Sequence, residues 1–300
     1  MINVGVVGMG NLGKAVCEEV KRNKEFKLVA KFSKRDLPGC EDYKNIKDYA
    51  GKIELLFVCG GSKTELEKQT NYLIDSFNII ESFDNHAKIK SHMEKSDKLA
   101  KEYKKIMLCS FGWDPGLFSL MRGLISSLGF TPYTFWGRGL SQGHTEAIKK
   151  LPGVVDALQF TIPNKKIMQK IKHGEEMSID KSFHKRDCFI VARKQDRKQI
   201  EEQIKTMPDY FCGYETSVNF VSQNELDKMK SFSHRGTVLT AKNIINFSLN
   251  LPSNPAFTAK VLCAFAKSYK KLKENKNFGA FSIFDLPLGY ILDKEKYYYL

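Results

Sequence analysis

The sequence predicts an α/β protein in which a doubly wound parallel sheet is joined to a second, mixed α/β domain. From Ile2 to Ser110, short apolar strands alternate with amphipathic helices, which is typical of a parallel sheet with helices on both faces. After Pro115, aromatic strands and turns replace this alternation. At 300 residues the chain is longer than a single hydrophobic core usually supports, so two domains are expected.

The individual elements follow from the spacing of apolar residues. Continuous apolar runs predict buried strands, and apolar residues three or four positions apart predict helices. A last helical stretch, 255–273, and the strand after it are expected to return to the first domain. The predicted domains are therefore 1–118 with 255–300, and 119–254. The predicted strands are 2–7, 27–32, 53–59, 78–83, 106–110, 133–136, 159–162, 188–192, 214–221 and 280–284, and the earlier helices are 12–22, 64–77 and 88–103.

Composition and charge narrow the class of protein. The net charge is +14, but only eight of the 48 basic residues are arginines, and the lysines are interleaved with acids along helical faces. This pattern favours solvated helix faces over a nucleic-acid interface, which uses more arginine. No apolar run reaches the roughly 20 residues of a membrane span, so no membrane partner is expected. The N-terminus has no signal-peptide pattern and the seven cysteines form no CxxC pair, which predicts a cytoplasmic protein with reduced cysteines.

Three glycines directly after the first predicted strand form the pattern G-x-G-x-x-G. Gly8 allows a tight turn, Gly10 lets the backbone approach a pyrophosphate, and Gly13 permits close packing of the next helix on the strand. The phosphates would lie at the positive N-terminus of that helix. Because the pattern follows a strand that begins at residue 2, it predicts a Rossmann-type dinucleotide-binding domain.

The end of the second predicted strand indicates which dinucleotide binds. NAD sites place an acid about 20 residues after the glycines, whereas this chain has Ser33, Lys34 and Arg35 there. A hydroxyl and two cations suit the 2′-phosphate of NADP, which a carboxylate would repel. Asp36 is a competing acid, but it follows the basic pair and is expected to face solvent. The sequence therefore favours NADP as the cofactor.

The loops after the later strands supply the remaining cofactor candidates. The segment 59–62, Cys-Gly-Gly-Ser, would let the backbone approach the ribose and nicotinamide, and it equally fits a plain strand-to-helix turn with a Ser N-cap. Both interpretations stay open. The cofactor candidates are Gly8, Met9, Gly10, Asn11, Leu12, Gly13, Ser33, Lys34, Arg35, Cys59, Gly60, Gly61, Ser62, Ser82, Phe83, Asp84, Phe111, Gly112, Trp113, Asp114 and Pro115.

Two carboxylates follow neighbouring strands of the predicted sheet. Asp84 comes after the fourth strand, and Trp113 and Asp114 lie in a Gly-Trp-Asp-Pro-Gly segment after the fifth. Ligands of such sheets bind at the carboxyl ends of the strands. Two acids beside a tryptophan there suit a cationic amine, although each acid alone also fits a helix N-cap or a turn. No cluster of His, Cys and Asp has metal-ligand spacing, so no metal is expected.

Several segments together resemble the meso-diaminopimelate dehydrogenase family, whose members are NADP-dependent amino acid dehydrogenases. The stretch Trp-Gly-x-Gly-Leu-Ser-Gln-Gly-His at 136–144 is especially specific. The chain departs from the family pattern at Lys34, where Arg is common, and at Arg235, where Gly is common. The matching segments are 8–13, 83–86 (Phe-Asp-Asn-His), 112–116, 134–137 (Thr-Phe-Trp-Gly), 139–144, 184–186 (His-Lys-Arg), 207–211 (Met-Pro-Asp-Tyr-Phe), 254–255 and 257–259.

The resemblance implies an oxidoreductase that reversibly deaminates meso-2,6-diaminopimelate at its D-centre, giving L-2-amino-6-oxopimelate and ammonia. It implies a role in lysine and peptidoglycan precursor biosynthesis. It also implies that 1–118 with 255–300 binds NADP, and that 119–254 binds substrate and forms a homodimer. Asp84 and Asp114 would be the catalytic residues that orient the amine, and either of them, or a water, could take its proton. The implied substrate contacts are Asp84, Trp113, Asp114, Trp136, Gln142, Gly143, Thr161, Arg186, His234 and Asn254.

Less specific interpretations of these residues also stay open. Trp136 fits an aromatic core, His234 a surface loop and Thr161 an ordinary strand. The chain also fits another NADP-linked amino acid or semialdehyde dehydrogenase of the same architecture. In a different class, a cofactor-sensing or nucleic-acid-binding protein would keep only the dinucleotide fold.

Overall fold

A seven-stranded parallel sheet forms the centre of the first of two structural units. The computed structural model describes residues 1–61, 65–230 and 233–300. One compact unit contains residues 1–120 and 255–300, and the other contains residues 121–254. The strands of the first unit are β1 (Ile2–Val7), β2 (Phe26–Ser33), β3 (Glu41–Asp42), β4 (Leu55–Val58), β5 (Asn78–Glu81), β6 (Ile106–Leu108) and β14 (Gly279–Phe281).

The order of these strands is β14-β6-β5-β4-β1-β2-β3, which confirms the predicted doubly wound sheet. β1 pairs in parallel with β2 on one side and with β4 on the other. The winding direction reverses between β1 and β4, and ligands of such sheets bind beyond the strand ends at this point. β14 pairs with β6, so the C-terminal segment adds the edge strand of the first sheet.

Helices cover both faces of the sheet because its strands are apolar on both sides. β4 is buried along its whole length, as expected for a parallel strand between two helix layers. On one face Val4 packs in a cluster with Val16, and on the other Val7 and Phe32 pack in a cluster with Leu66. The helices of this unit are α1 (Asn11–Arg22), α2 (Leu66–Leu73), α3 (Ile89–Glu102), α9 (Asn254–Ala266) and α10 (Ser268–Glu274), of which α9 begins at the boundary between the units.

The C-terminal helix that the sequence indicates as one element is divided into two. The apolar spacing predicts a continuous helix over 255–273, whereas α9 ends at Ala266 and α10 begins at Ser268. The Ser268 hydroxyl donates to the carbonyl oxygen of Phe265 over 2.6 Å. A serine that bonds back to the preceding turn in this way bends a helix.

Two smaller sheets form the second unit, which confirms the predicted mixed α/β class. One has the order β11-β10-β9-β8, with β10 antiparallel to β9 and parallel to β11. The other is antiparallel, with the order β13-β12-β7. The strands are β7 (Tyr133–Trp136), β8 (Gly139–Leu140), β9 (Val154–Pro163), β10 (His184–Ala192), β11 (Glu215–Phe220), β12 (His234–Leu239) and β13 (Asn246–Leu251).

Four helices accompany these sheets, and a fifth begins in the first unit. The cluster of Ile148, Ile190 and Ile204 forms part of the hydrophobic core between helices and the larger sheet. Within the ranges that the structure describes, no helix is long and apolar enough to cross a membrane. The helices are α4 (Leu117–Ser127), which contains the boundary at residue 120, α5 (Gln142–Lys149), α6 (Lys165–Lys172), α7 (Arg197–Thr206) and α8 (Gln223–Met229).

Candidate active site

Two glycines of the turn after β1, Gly8 and Gly13, leave little room for a larger residue. Gly8 has a φ of +88°, and a Cβ atom on it would lie 3.1 Å from the carbonyl oxygen of Cys59. A Cβ atom on Gly13 would lie 1.9 Å from the carbonyl oxygen of Gly8. α1 therefore packs directly on the turn that follows β1, and this turn lies against the residues that follow β4.

The N-terminus of α1 leaves its backbone amides accessible to a ligand. Gly10 is the exposed N-cap residue, it makes no side-chain cap, and a Cβ atom on it would meet nothing within 4 Å. The first turn of α1 contains no acidic residue. The partial positive charge of the helix end therefore faces open space at the switch point, where a phosphate would be stabilised.

A cavity of about 340 Å³ lies beside this turn in the first unit. Ser33, Lys34 and Arg35 all line it, whereas Asp36 is exposed and is not among the lining residues that the structure describes. The Ser33 hydroxyl accepts a hydrogen bond from the backbone N–H of Arg35 at 3.0 Å. The cavity thus presents a hydroxyl and two cations. Its lining residues are Val7, Gly8, Met9, Gly10, Phe32, Ser33, Lys34, Arg35, Tyr43, Cys59, Gly60, Gly61, Glu65 and Gln69.

Three polar residues that line this cavity were not predicted as cofactor residues from the sequence. Gln69 is 5% exposed, and its Oε1 has no hydrogen-bond partner among the described residues. Glu65 pairs with Lys34 at 3.2 Å, and Tyr43 lies beneath the same lysine. One signal was available, since Gln69 is a polar residue on the apolar face of α2, three positions after Leu66. The orphaned acceptor, the glycine turn and the basic loop together fit an adenine dinucleotide with a 2′-phosphate.

The carboxyl ends of β5 and β6 carry the two predicted acids. Because β5 and β6 are adjacent, Asp84 and the segment 112–116 emerge at the same edge of the sheet. Asp84 is exposed and Asp114 is half-buried. A Cβ atom on Gly116 would lie 2.1 Å from the carbonyl oxygen of Gly112, so the segment closes as a tight loop.

The other cofactor candidates at this edge differ in how much they are exposed. Phe83 and Phe111 are 1% and 0% exposed, so their side chains belong to the core and only their backbone could meet a ligand. Trp113 is 7% exposed and packs edge-on against Phe118, with 5.2 Å between ring centroids. Ser62 lies outside the described residues, and the placement of all these candidates around a cofactor stays a prediction. The remaining candidates are Asn11 and Gly61, which are exposed, Leu12, Cys59, Gly60 and Ser82, which are half-buried, and Pro115, which is buried.

In the second unit, Thr161 and Arg186 face each other across the larger sheet. They are opposite one another in the β9–β10 ladder, and Nη1 of Arg186 donates to Oγ1 of Thr161 at 2.7 Å. The guanidinium stacks on the Tyr214 ring at 4.1 Å, and its buried Nε has no partner among the residues described. Burial lowers the pKa of Arg186, since it penalises the charged form. The result is a fixed cation whose hydrogen bonds are incompletely used.

His234 and Trp136 are two further predicted substrate residues of this unit, and His234 lies next to the strand partner of Thr161. The His234 imidazole lies against Gly139, where a Cβ atom would be 2.5 Å from the ring, and Gly139 pairs with Thr161 in the sheet. His234 is the first residue of β12 and is half-buried, so its interpretation as a surface loop histidine is wrong. The backbone N–H of Trp136 donates to Nε2 of His184 at 2.9 Å.

The remaining predicted contacts lie at the ends of elements in the same unit. Gln142 and Gly143 are exposed at the start of α5. Asn254 comes three residues after Leu251, the β13 partner of His234. The structure therefore joins Thr161 and Arg186 directly and relates His234 to them through Gly139, whereas it relates Asn254 to them only through the strand pairing.

Gln159 is a polar residue of this region that the sequence analysis missed. It lies two positions before Thr161, so both side chains face the same side of β9. Its side chain is fully buried, and both amide atoms lack a hydrogen-bond partner within the described part of the chain. The signal available in the sequence is a lone glutamine inside an apolar strand.

His184 makes the stability of the protein depend on pH. Burial, with a smaller contribution from Arg186, lowers the pKa of His184 from 6.5 to about 4. The unfolded chain binds a proton at this residue as the pH falls through 6.5, while the folded protein does not, so stability is lost between about pH 6.5 and 4. We expect His184→Gln to reduce the loss of stability between pH 7 and pH 5, measured as the urea midpoint. As the control, replacing the exposed His173 by Gln should leave the loss of stability between pH 7 and pH 5 as large as in the wild-type protein. Equal losses of stability in the wild-type protein, His184→Gln and His173→Gln would contradict the prediction.

Comparison with known proteins identifies relatives of nearly full length. The diaminopimelic acid dehydrogenase C-terminal domain family matches residues 112–253. A meso-diaminopimelate D-dehydrogenase of Ureibacillus thermosphaericus is 40% identical over 315 residues, covering 98% of this chain and 96% of the relative. The solved Corynebacterium glutamicum DAP dehydrogenase in complex with DAP has a TM-score of 0.92 at 33% identity, covering 98% and 96%. An engineered D-amino acid dehydrogenase bound to NADP⁺ has a TM-score of 0.85 at 31% identity, covering 98% and 97%.

Proposed function

Because the chain belongs to the meso-diaminopimelate D-dehydrogenase family, we propose that it oxidatively deaminates meso-2,6-diaminopimelate with NADP⁺. The products are L-2-amino-6-oxopimelate, ammonia, NADPH and a proton, and the reaction is reversible. It belongs to the biosynthesis of lysine and of peptidoglycan precursors.

One observation of the geometry carries the proposal on the substrate side. Arg186 is 9% exposed, and no carboxylate of the described chain forms an ion pair with it. A buried guanidinium is costly without an anion, so a carboxylate of the substrate would offset this cost. Thr161 accepts a hydrogen bond from one edge of the guanidinium, and the Tyr214 ring stacks against its face. We assign Arg186, Thr161, His234 and Asn254 to the L-amino acid end of the substrate, with Trp136, Gln142 and Gly143 beside it.

The acids at the ends of β5 and β6 would act on the reacting amine. Asp84 and Asp114 would orient an ammonium group at this edge, where Trp113, which is 7% exposed, precedes Asp114 in the chain. The chemistry that bound NADP⁺ supplies is acceptance of the hydride from the D-configured carbon. Loss of a proton from nitrogen leaves an imine, and water then hydrolyses the imine to the ketone and ammonia. One of the two carboxylates, or a water between them, takes the proton.

An assay of NADPH formation tests this function. The purified protein should reduce NADP⁺ with meso-diaminopimelate and release one ammonia per NADPH. It should leave L,L-diaminopimelate unoxidised, because that isomer has no D-centre. Absence of NADPH formation with the meso isomer, or equal rates with both isomers, would reject the proposal.

We also propose that Lys34 and Arg35 recognise the 2′-phosphate. Both side chains are exposed, so solvent reduces the free energy of each contact. The double substitution Lys34→Ala and Arg35→Ala should lower kcat/KM for NADP⁺ by about 10-fold to 100-fold, since charge-assisted bonds to phosphate are lost. The value for NAD⁺ should change much less. The control is a double substitution of the exposed Lys21 and Lys24 by Ala, which should leave kcat/KM for both cofactors unchanged. If Lys34→Ala with Arg35→Ala lowered kcat/KM equally for NADP⁺ and NAD⁺, this loop would not recognise the 2′-phosphate.

The exposed apolar side chains and the free cysteines bear on the assembly and the location of the protein. We propose a homodimer formed through the second unit, which exposes large apolar side chains including Val155, Ile179 and Ile244. We also propose a cytoplasmic location, because the seven cysteines are free, and four of them are buried in the core.

A further inference from the structure

A buried carboxylate connects the ends of β5 and β6 beneath the two acids of the candidate site. Glu81, the last residue of β5, is 0% exposed. One carboxylate oxygen accepts from the backbone N–H of Phe83, and the other, Oε1, accepts from the backbone N–H of Ser110 at 3.1 Å. A single side chain therefore fixes the backbone of two loops, one leading to Asp84 and the other to Trp113 and Asp114.

His92 of α3 supports this carboxylate from the side. Its Nε2 lies 3.1 Å from Oε1 of Glu81, and the residue is 2% exposed. The imidazole stacks on the Phe83 ring, with 4.2 Å between centroids and 18° between planes. His92 thus contacts both the carboxylate and the residue that immediately precedes Asp84.

The backbone of the second loop needs such support. Ser110 has a φ of +62°, a conformation that residues other than glycine rarely adopt. Its N–H is held by the Glu81 side chain, and the N–H of the next residue, Phe111, donates to the Glu81 carbonyl oxygen at 2.9 Å. Both bonds lie directly before the loop that carries Trp113 and Asp114.

Cys109 makes the same cluster resemble a metal site. Glu81, His92 and Cys109 bring one ligand atom each within 4.8 Å of one another. The oxygens of Glu81 are already used by two backbone donors and by His92. Burial, and next the charge of Glu81, raise the pKa of the Cys109 thiol well above its usual value, so the thiol stays protonated. Hydrogen bonds therefore join Glu81 to the backbone of both loops and to His92.

We propose that the Glu81–His92 pair is a positioning device that holds Asp84 and Asp114 in the geometry needed for oxidation of the amine. The inference rests on the proposed function, and it adds two residues that touch neither substrate nor cofactor. Because hydride transfer is sensitive to sub-ångström displacement, loosening the two loops should affect turnover more than binding.

Glu81→Gln tests the proposal with little change in shape. The amide keeps one acceptor oxygen and places N–H groups where the second oxygen received a backbone donor. We expect kcat with meso-diaminopimelate to fall by about 10-fold to 100-fold, while KM for NADP⁺ changes less than about threefold. The deuterium isotope effect on kcat, with the D-centre labelled, should rise because hydride transfer becomes slower. Glu81→Asp, which keeps both oxygens, should retain more turnover than Glu81→Gln.

Asn78 provides a matched control at the opposite ends of the same strands. Its Oδ1 accepts from the backbone N–H of Ile106 at 2.9 Å, and its Nδ2 donates to the carbonyl oxygen of Glu54 at 2.8 Å. Asn78→Asp is also isosteric and removes a bond that helps to hold the sheet. It should lower the melting temperature but leave kcat within about twofold, because it lies far along the strands from their carboxyl ends.

The results separate this inference from the proposed function. An active wild-type enzyme whose kcat survives Glu81→Gln, or falls equally in Asn78→Asp, overturns the positioning role alone. A wild-type protein that is inert toward meso-diaminopimelate overturns the proposed function instead. If Glu81→Gln does not fold, His92 decides the question: His92→Leu should lower kcat more than His92→Gln, which can still donate to Glu81, and equal kcat values in these two variants overturn the proposal.

Discussion

Replacing Asp114 by Asn is expected to reduce kcat with meso-diaminopimelate by about 100-fold, the scale of lost orientation and proton-transfer assistance. The substitution keeps the shape of the side chain within the loop closed by Gly112 and Gly116. It removes the negative charge that would orient the ammonium group and receive its proton. The glycine turn and the basic loop that would hold NADP lie elsewhere in the unit, so binding of the cofactor should survive.

Steady-state kinetics and cofactor titration together test this expectation. Asp84→Asn should reduce kcat in the same direction, because the two acids emerge from neighbouring strands. Asp48→Asn, an exposed acid of the same unit, should leave kcat unchanged. Near-normal turnover in both Asp84→Asn and Asp114→Asn would show that these carboxylates only stabilise the loops. Loss of NADP⁺ binding would instead assign them to the cofactor site.

The sequence predicts the first unit well because its signals are local. A parallel strand buried on both faces is a continuous apolar run, as in β4, and the glycines of the dinucleotide turn all lie within the short segment 8–13. The adjacency of Asp84 and Asp114 also follows from local information, since consecutive strands of such a sheet usually pair. The fold class and the edge of the sheet that carries the acids could therefore be derived without the structure.

The grouping in the second unit could not be derived in this way. Thr161 and Arg186 meet because β9 and β10 pair in one register, and a shift of one strand by one residue would place the two side chains on opposite faces of the sheet. His234 lies against Gly139, the strand partner of Thr161, only because Gly139 has no side chain. No periodicity in the sequence specifies these contacts, so only the resemblance to a family indicated them.

Buried polar residues were missed for a different reason. In the sequence, Glu81 resembles the polar end of an apolar strand. Gln69 and Gln159 resemble single polar residues within apolar patterns. Their significance depends on which backbone groups or ligand atoms they face, which is a property of the folded chain. Buried polar groups are expensive unless they are hydrogen-bonded, so the structure makes them the most informative positions.

Replacing Arg186 by Ala should raise KM for meso-diaminopimelate about 30-fold to 1,000-fold, which corresponds to about 2 to 4 kcal/mol. The guanidinium offers a two-point contact to a carboxylate, and its plane is already fixed by Thr161 and Tyr214. Without it, a substrate carboxylate in this region would be desolvated and unpaired. Arg186→Lys should recover only part of the loss, because an ammonium group cannot form the two-point contact.

Comparison of two substrates shows whether Arg186 anchors the end remote from the reacting carbon. A simple D-amino acid has no second amino acid end, so the wild-type enzyme should oxidise it poorly and Arg186→Ala should change its kcat/KM little. Arg197 is the matched control, since it also stacks on a ring, Phe220 at 5.1 Å, and also has a buried Nε without a partner among the described residues. Arg197→Ala should leave KM for the meso isomer unchanged. An unchanged KM in Arg186→Ala, or equal losses with both substrates, would reject the anchoring role even in an active NADP-dependent dehydrogenase, because the guanidinium would then act on the fold or on the reacting end alone.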